Sequence, residues 1–260
     1  MKVKILSKDD RKVKFLLEDS NPQFANALRR IMISEVPVLA IQTVDFTAND
    51  SVLYNEMIAQ RLGLVPLVFK SKDFHFKDKH EDGKTCSGCE VVFAINKKGP
   101  CMVYAKDMKS SNPDVQPLFG DIPIVELFED QKLKLEAHAF LGFGKDHARH
   151  QGAIASYRYS ATANTKGKID NPKECVDVCP KDALKTDGKK TSVNNDCDLC
   201  MECVKTCKPE GSLEIVADPT KFIFAVESVS GLEPNDLVMQ AADILKKKVK
   251  DFEKEAKKIK

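Results

Sequence analysis

The stretch CDLCMECVKTC, residues 197–207, places Cys197, Cys200, Cys203 and Cys207 within eleven positions. So short a segment holds too little apolar surface to fold by burial alone, and thiols at this density point to a metal group as its organising element. A degenerate copy lies upstream. CVDVCPKDAL, from Cys175, aligns with CVKTCKPEGSL, from Cys203, at an offset of 28 residues and with one residue fewer after its last cysteine. The segment is therefore an internal repeat.

The spacing C-x2-C-x2-C-x3-C is the run found in ferredoxin-type iron–sulfur proteins, where three thiolates hold one cluster and the fourth reaches the other. Carrying that exchange over, Cys179, Cys197, Cys200 and Cys203 make one complete ligand set. The other set would need Cys175, Cys207 and two cysteines at positions occupied by Ile169 and Pro172, which cannot ligate iron. One [4Fe–4S] cluster, or a [3Fe–4S] form of it, is expected. Cys175 and Cys207 are then left close together, as a disulfide, as buried thiols or as extra ligands. Zinc is the rival for four clustered cysteines, and the repeat with its Cys179-Pro180 pair favours iron–sulfur. A second group, Cys86, Cys89 and Cys101 with His75 or His80 nearby, has one Cys-x2-Cys pair but no standard spacing beyond it. Free or structural thiols are the reading there, ahead of zinc.

Composition narrows the classes further. Lys and Arg number 41 against 39 Asp and Glu, so bulk attraction to DNA is not implied and no direct sequence-specific DNA contact is expected. No stretch approaches the roughly 20 apolar residues that span a bilayer, and the N-terminus lacks a secretory pattern. The nine cysteines are accordingly expected in a reducing cytoplasm, as ligands rather than a disulfide framework. No phosphate-cradling or nucleophile-elbow glycine motif is present. His138 reads as a strand-face residue, and His147 and His150 flank a glycine-bounded loop with no carboxylate constellation to make a catalytic pair.

Periodicity gives an α+β chain. Residues 3–17 alternate as two strands around SKDDRK. DSNPQFANALRRIMISEVP reads as one helix, capped by Asp19 or Ser20 and stopped at Val36-Pro37. VPVLAIQTVDF is strand-like, and LYNEMIAQRLGLVPLVF gives a helix ended at Gly63 and then a strand. Residues 74–98 read as a polar loop excursion, 132–141 as a strand, and SATANTKGKIDN as a linker. SLEIV and KFIFAVESVS return to strands. From Pro234 a helix runs almost to the end with an apolar stripe at Leu245, Val249 and Phe252, suited either to the chain's own surface or to a partner subunit.

The flanks carry a resemblance. NPQFANALRRIMISEVPVLAI (21–41), NEMIAQRLGLVPL (55–67), HARHQGAIASYRY (147–159) and FIFAVESVSGLEP (222–234) resemble, in order and from end to end, the alpha-type assembly subunits of DNA-directed RNA polymerase in their archaeal form with a ferredoxin-like insertion. That resemblance implies a dimerisation domain from residues 1–45 and 215–260, a mixed α/β inserted domain over 46–165, and a small ferredoxin-like iron–sulfur domain over 166–214. It implies pairing with the small alpha-type subunit L, and a platform for the large catalytic subunits and the small subunits N and P. Phe24, Leu28, Arg29, Arg30, Ile31, Leu245, Val249 and Phe252 would serve these contacts, with Arg29 and Arg30 near the second-largest subunit. Glu56 and Arg61 would join the same docking surface. No catalytic residue is expected on this chain.

A ferredoxin-type electron carrier or redox sensor is the alternative, and a zinc-binding interaction protein a third reading. The disabled second cluster and the length of chain outside the cysteine segment favour the assembly subunit.

Overall fold

The computed structural model describes residues 1–76 and 86–259. A hairpin, β1 (Lys2–Lys8) and β2 (Lys12–Glu18), leads into α1 (Pro22–Ser34), β3 (Val38–Asn49) and α2 (Asn55–Gly63). Strands β4 (Leu67–Val68), β5 (Glu90–Lys98), β6 (Cys101–Tyr104), β7 (Lys109–Ser110), β8 (Gln116–Pro117), β9 (Pro123–Leu127) and β10 (Lys132–Gly142) follow. After β11 (Ala153–Thr165) come α3 (Pro172–Asp177), β12 (Leu184–Thr186), β13 (Thr191–Val193) and α4 (Glu202–Thr206). The chain closes with β14 (Leu213–Ser228) and α5 (Pro234–Ala256). It divides into two compact units, residues 1–29 with 155–226 and residues 30–154 with 227–260.

The first unit is built on a sheet of order β1-β2-β14-β11. Alternation in β2 buries Val13, Phe15 and Leu17 on one face, as a two-residue period requires. Phe15 stacks on Phe224 with ring centroids 4.9 Å apart, and Tyr157 meets Phe222 edge-on at 5.6 Å. A smaller core gathers Ile169, Cys175, Leu184, Cys203, Cys207, Leu213 and Ile215 around α3, α4 and the β12–β13 hairpin.

The second unit carries a sheet of order β3-β10-β5-β7. Leu133, Leu135, Ala137 and Ala139 of the central β10 point inward, while Lys132, Lys134 and Glu136 face out. Such one-sided alternation marks an antiparallel sheet with a single packed face. The helix α2 closes over β3, and its Ile58 and Leu62 are fully buried.

Four local expectations change. Asn21, rather than Asp19 or Ser20, caps α1: its Oδ1 accepts from the Phe24 amide at 2.8 Å, with Pro22 in the first turn. The supposed loop excursion ends at β5, because Val91, Phe93 and Ile95 alternate into the core before the lysines begin; its middle, residues 77–85 with His80, lies outside the described residues. Residues 160–165 of the expected linker continue β11, paired in the sheet beside β14. SLEIV and KFIFAVESVS are one continuous strand, β14.

Candidate metal centre and assembly surfaces

Cys179, Cys197, Cys200 and Cys203 line one small hollow, together with Asp198 and the apolar Ala183, Leu184, Val193, Leu199, Met201 and Ile215. Cys197 and Cys200 lie on the loop before α4, Cys203 lies inside α4, and Cys179 arrives from the turn after α3. The loop reverses because Leu199 and Met201 both adopt left-handed backbone, φ 63° and 65°. Non-glycine residues pay a steric cost there, and such conformations concentrate where a site dictates them. Burial pushes the Cys203 thiol above its ordinary range, and the neighbouring Cys179, Cys197 and Cys200 push it further.

The loop is tied down on both sides. Asp196, beside Cys197, receives Lys14 Nζ of β2 at 2.9 Å and lies 3.7 Å from the Arg158 guanidinium of β11. The hydrogen bond from Lys14 holds its carboxyl below the usual carboxylate range. Asn171 joins the two repeats: its side chain donates to the Thr206 carbonyl at 3.0 Å and accepts from the Lys208 amide at 2.7 Å.

At the degenerate half, Ile169 is 1% exposed and belongs to the small apolar core, and Pro172 opens α3. Cys175 and Cys207 are buried and joined in a disulfide, with Cα atoms 5.3 Å apart. Side chains fill the place where a second ligand set would stand.

Of the weaker group, Cys101 stands apart, its thiol directed at the Lys98 carbonyl at 3.6 Å. His75 takes its place beside Cys86 and Cys89, the ligating atoms of these three lying within 4.8 Å of one another. Burial is the main cause that pushes the Cys89 thiol up. The sequence offered His75 or His80 beside Cys86, Cys89 and Cys101, and the fold brings His75, not Cys101, to the pair.

HARHQGA, one of the motifs quoted above, is structural. Arg149 donates from Nη1 to the Ile41 and Gln42 carbonyls of β3 at 2.9 and 3.2 Å. The His150 ring is buried between the Val38 carbonyl, 2.8 Å from Nδ1, and Gln42, 3.1 Å from Nε2. Burial lowers its pKa. In SGLEP, a Cβ on Gly231 would fall 1.7 Å from the Leu67 carbonyl oxygen, so only glycine admits the backbone of β4. His138 is clasped by Glu90 at 2.6 Å and Asp45 at 3.3 Å across three strands, a sheet-face role.

The docking residues separate by burial. Leu28 and Ile31 are 4% and 3% exposed and belong to the chain's own core, not to a partner surface. Phe24 and Arg29 are half-buried, Arg30 and Glu56 are exposed, and Arg61 donates to the Ile124 carbonyl at 2.7 Å. Around α2 the apolar Val52, Tyr54, Met57 and Leu64 face outward. The helix α5 buries Leu237 and Ala241 near its start, while Val249 and Phe252 farther on are 59% and 75% exposed. No helix among the described residues is long and apolar enough to cross a membrane.

Outward apolar faces, structural histidines and a thiol-lined hollow fit a protein of the assembly class. Known proteins make that class specific. The family model of the RNA polymerase Rpb3/RpoA insert domain matches residues 41–157. The DNA-directed RNA polymerase subunit Rpo3 of Methanosarcina mazei is 35% identical over 258 residues, 97% of each chain. Those of Methanothermobacter thermautotrophicus and Pyrococcus horikoshii are each 35% identical, covering 95% and 100% of this chain and 96% and 99% of their own. The chain belongs to the Rpo3 family of alpha-type RNA polymerase subunits. It is a non-catalytic assembly subunit of an enzyme complex that polymerises nucleotides. The electron-carrier reading falls away, since the match runs the length of the chain and not the cysteine segment alone.

Proposed function

We propose that within the polymerase this subunit carries one [4Fe–4S] cluster on Cys179, Cys197, Cys200 and Cys203, in a ferredoxin-like module over residues 166–214. The convergence of these four thiols on one hollow, walled mostly by apolar side chains, carries the reading. The donor set fits: four thiols, no lysine or arginine lining the hollow, and a loop reversed at Leu199 and Met201. When bound, the cluster supplies four metal–thiolate bonds to a segment whose own apolar core is small. The protein's part is to hold that segment to the sheet, through Asp196 with Lys14 and Arg158, and to keep its two repeats together through Asn171.

The outer half of α5, with Leu245, Val249 and Phe252, pairs with the small alpha-type subunit L. Val249 and Phe252, left uncovered on a charged helix beyond the half-buried Leu245, support this assignment. Phe24 serves a partner contact, Arg29 and Arg30 meet the second-largest subunit, the segment of Glu56 and Arg61 docks to it as well, and the small subunits N and P complete the cytoplasmic platform.

The test is co-purification from cells in which Cys197, Cys200 and Cys203 are replaced by Ser, beside anaerobic wild type with iron counts and electron paramagnetic resonance. Subunit L should be retained and recovery of the large subunits should fall. Unchanged recovery of the large subunits overturns the role in assembly, and wild type without iron overturns the cluster.

A further inference from the structure

We propose that, on the cluster reading above, Asp198 lowers the reduction potential of the bound group and keeps it oxidised, a fixed staple and not an electron store. Among the described residues that line the hollow, Asp198 is the one with a carboxylate; the others are the four cysteines and six apolar side chains.

Two acidic residues flank Cys197, and the fold treats them differently. Asp196 meets Lys14 at 2.9 Å and Arg158 at 3.7 Å, so two cations offset its charge. Asp198 has no cation within ion-pair distance among the described residues, and its Oδ1 accepts from the Cys200 amide at 3.3 Å. The left-handed backbone of Leu199, between them, brings that amide and carboxylate together.

Both features act on the potential in the same direction. Reduction adds an electron to a site already made anionic by four thiolates, and an unpaired carboxylate at its wall opposes that addition. Amides that donate to sulfur do the reverse, favouring the more negative, reduced form. The Ala183 amide donates to Cys179 Sγ at 3.3 Å, whereas Asp198 draws the Cys200 amide to itself. The carboxylate is exposed, so water screens part of its field. The direction of the Cys200 amide is set by the loop and escapes that screening. An unchanging cluster suits this chain, since Ile169 and the Cys175–Cys207 pair fill the place from which a second cluster would relay electrons.

The test is an anaerobic redox titration of the full-length chain, with its iron counted and the reduced form read by electron paramagnetic resonance. Dithionite supplies one electron per cluster, and no bond is made or broken. Asp198→Asn keeps an oxygen for the Cys200 amide and loses the charge. In that variant the reduced-to-oxidised ratio at a fixed potential should rise about tenfold, which is ~59 mV for a one-electron couple. Asp198→Ala, which also releases the amide, should raise it at least as far. Glu202 lies outside the hollow and is paired with Lys205 at 2.7 Å, so Glu202→Gln should shift the ratio by less than about threefold. Wild type should stay oxidised in reduced glutathione at neutral pH.

An unchanged potential in Asp198→Asn, or an equal shift in Glu202→Gln, overturns the proposal, as does a wild-type cluster that glutathione reduces. Loss of iron from Asp198→Asn overturns it too, since the residue would then hold the cluster and not tune it. Wild type without iron removes the cluster itself, so the two failures read differently.

Discussion

Leu199 and Met201, on either side of Cys200, share a left-handed backbone, φ 63° and 65°. The two reversals together curl Cys197, Cys200 and Cys203 around one centre. Each costs on the order of 1–2 kcal/mol for an L-residue, a cost that a ligand bound by the three thiols would offset. Replacing Met201 with Asn, which tolerates this region, should leave iron content near wild type. Replacing it with Ile, whose branched Cβ does not, should lower both iron retention and the local unfolding temperature. Equal behaviour of the two variants, by iron count and thermal melt, would remove the strained loop from the account.

The helix α5 divides into an inner part that the chain's own core uses and an outer part that it leaves open. Leu237 is fully buried, and Leu237→Ala should cost about 2–5 kcal/mol of stability. Phe252 is 75% exposed, so Phe252→Glu should change stability by less than about 0.5 kcal/mol. The same change should nonetheless abolish recovery of subunit L in a pull-down. Intact pairing in Phe252→Glu would mean that the outer stripe is only a solvated surface.

His150 ties stability to pH. Burial lowers its pKa in the folded chain, while the unfolded chain titrates near 6.5. Below about 6.5 the unfolded state therefore binds a proton that the folded state refuses, and stability falls as pH falls. Above that value the contribution is fully present. Denaturant midpoints should decline from pH 7.5 to 5.5, and His150→Gln should flatten the decline. An equal slope in the variant would assign the pH dependence to other groups.

The pairing of Cys175 with Cys207 leaves seven of the nine cysteines outside a disulfide. After acid removal of any bound metal, alkylation in denaturant without reductant should label seven positions per chain, and nine after reduction. Nine labels without reductant would show that the buried pair is two thiols in solution.

Much of the fold is legible in residue order because its cause is local. The alternation in β2 and β10, the Pro22 start of α1 and the Gly63 end of α2 follow from periods of two and 3.6 residues and from backbone chemistry. The errors have equally definite origins. Asp19 and Ser20 were reasonable caps by residue type, but the chain enters α1 one step later, at Asn21. SATANT looks like a linker by composition, yet a neighbouring strand supplies its hydrogen bonds. Leu28 and Ile31 sit on an apolar helix face, and periodicity cannot say whether such a face meets the chain's own core or another subunit.

The sequence by itself kept Cys197, Cys200 and Cys203 together, because residues two apart in one tight loop stay neighbours in any compact state, and its internal repeat pointed to Cys179 as their fourth. It likewise named the family through four motifs in order. Only the tertiary structure decided that His75, not Cys101, joins Cys86 and Cys89, and that side chains occupy the second cluster's place. It also decided which half of α5 remains open. These outcomes depend on loop closure and burial across distant segments, and the packing of the whole unit selects among the partners that residue order leaves possible.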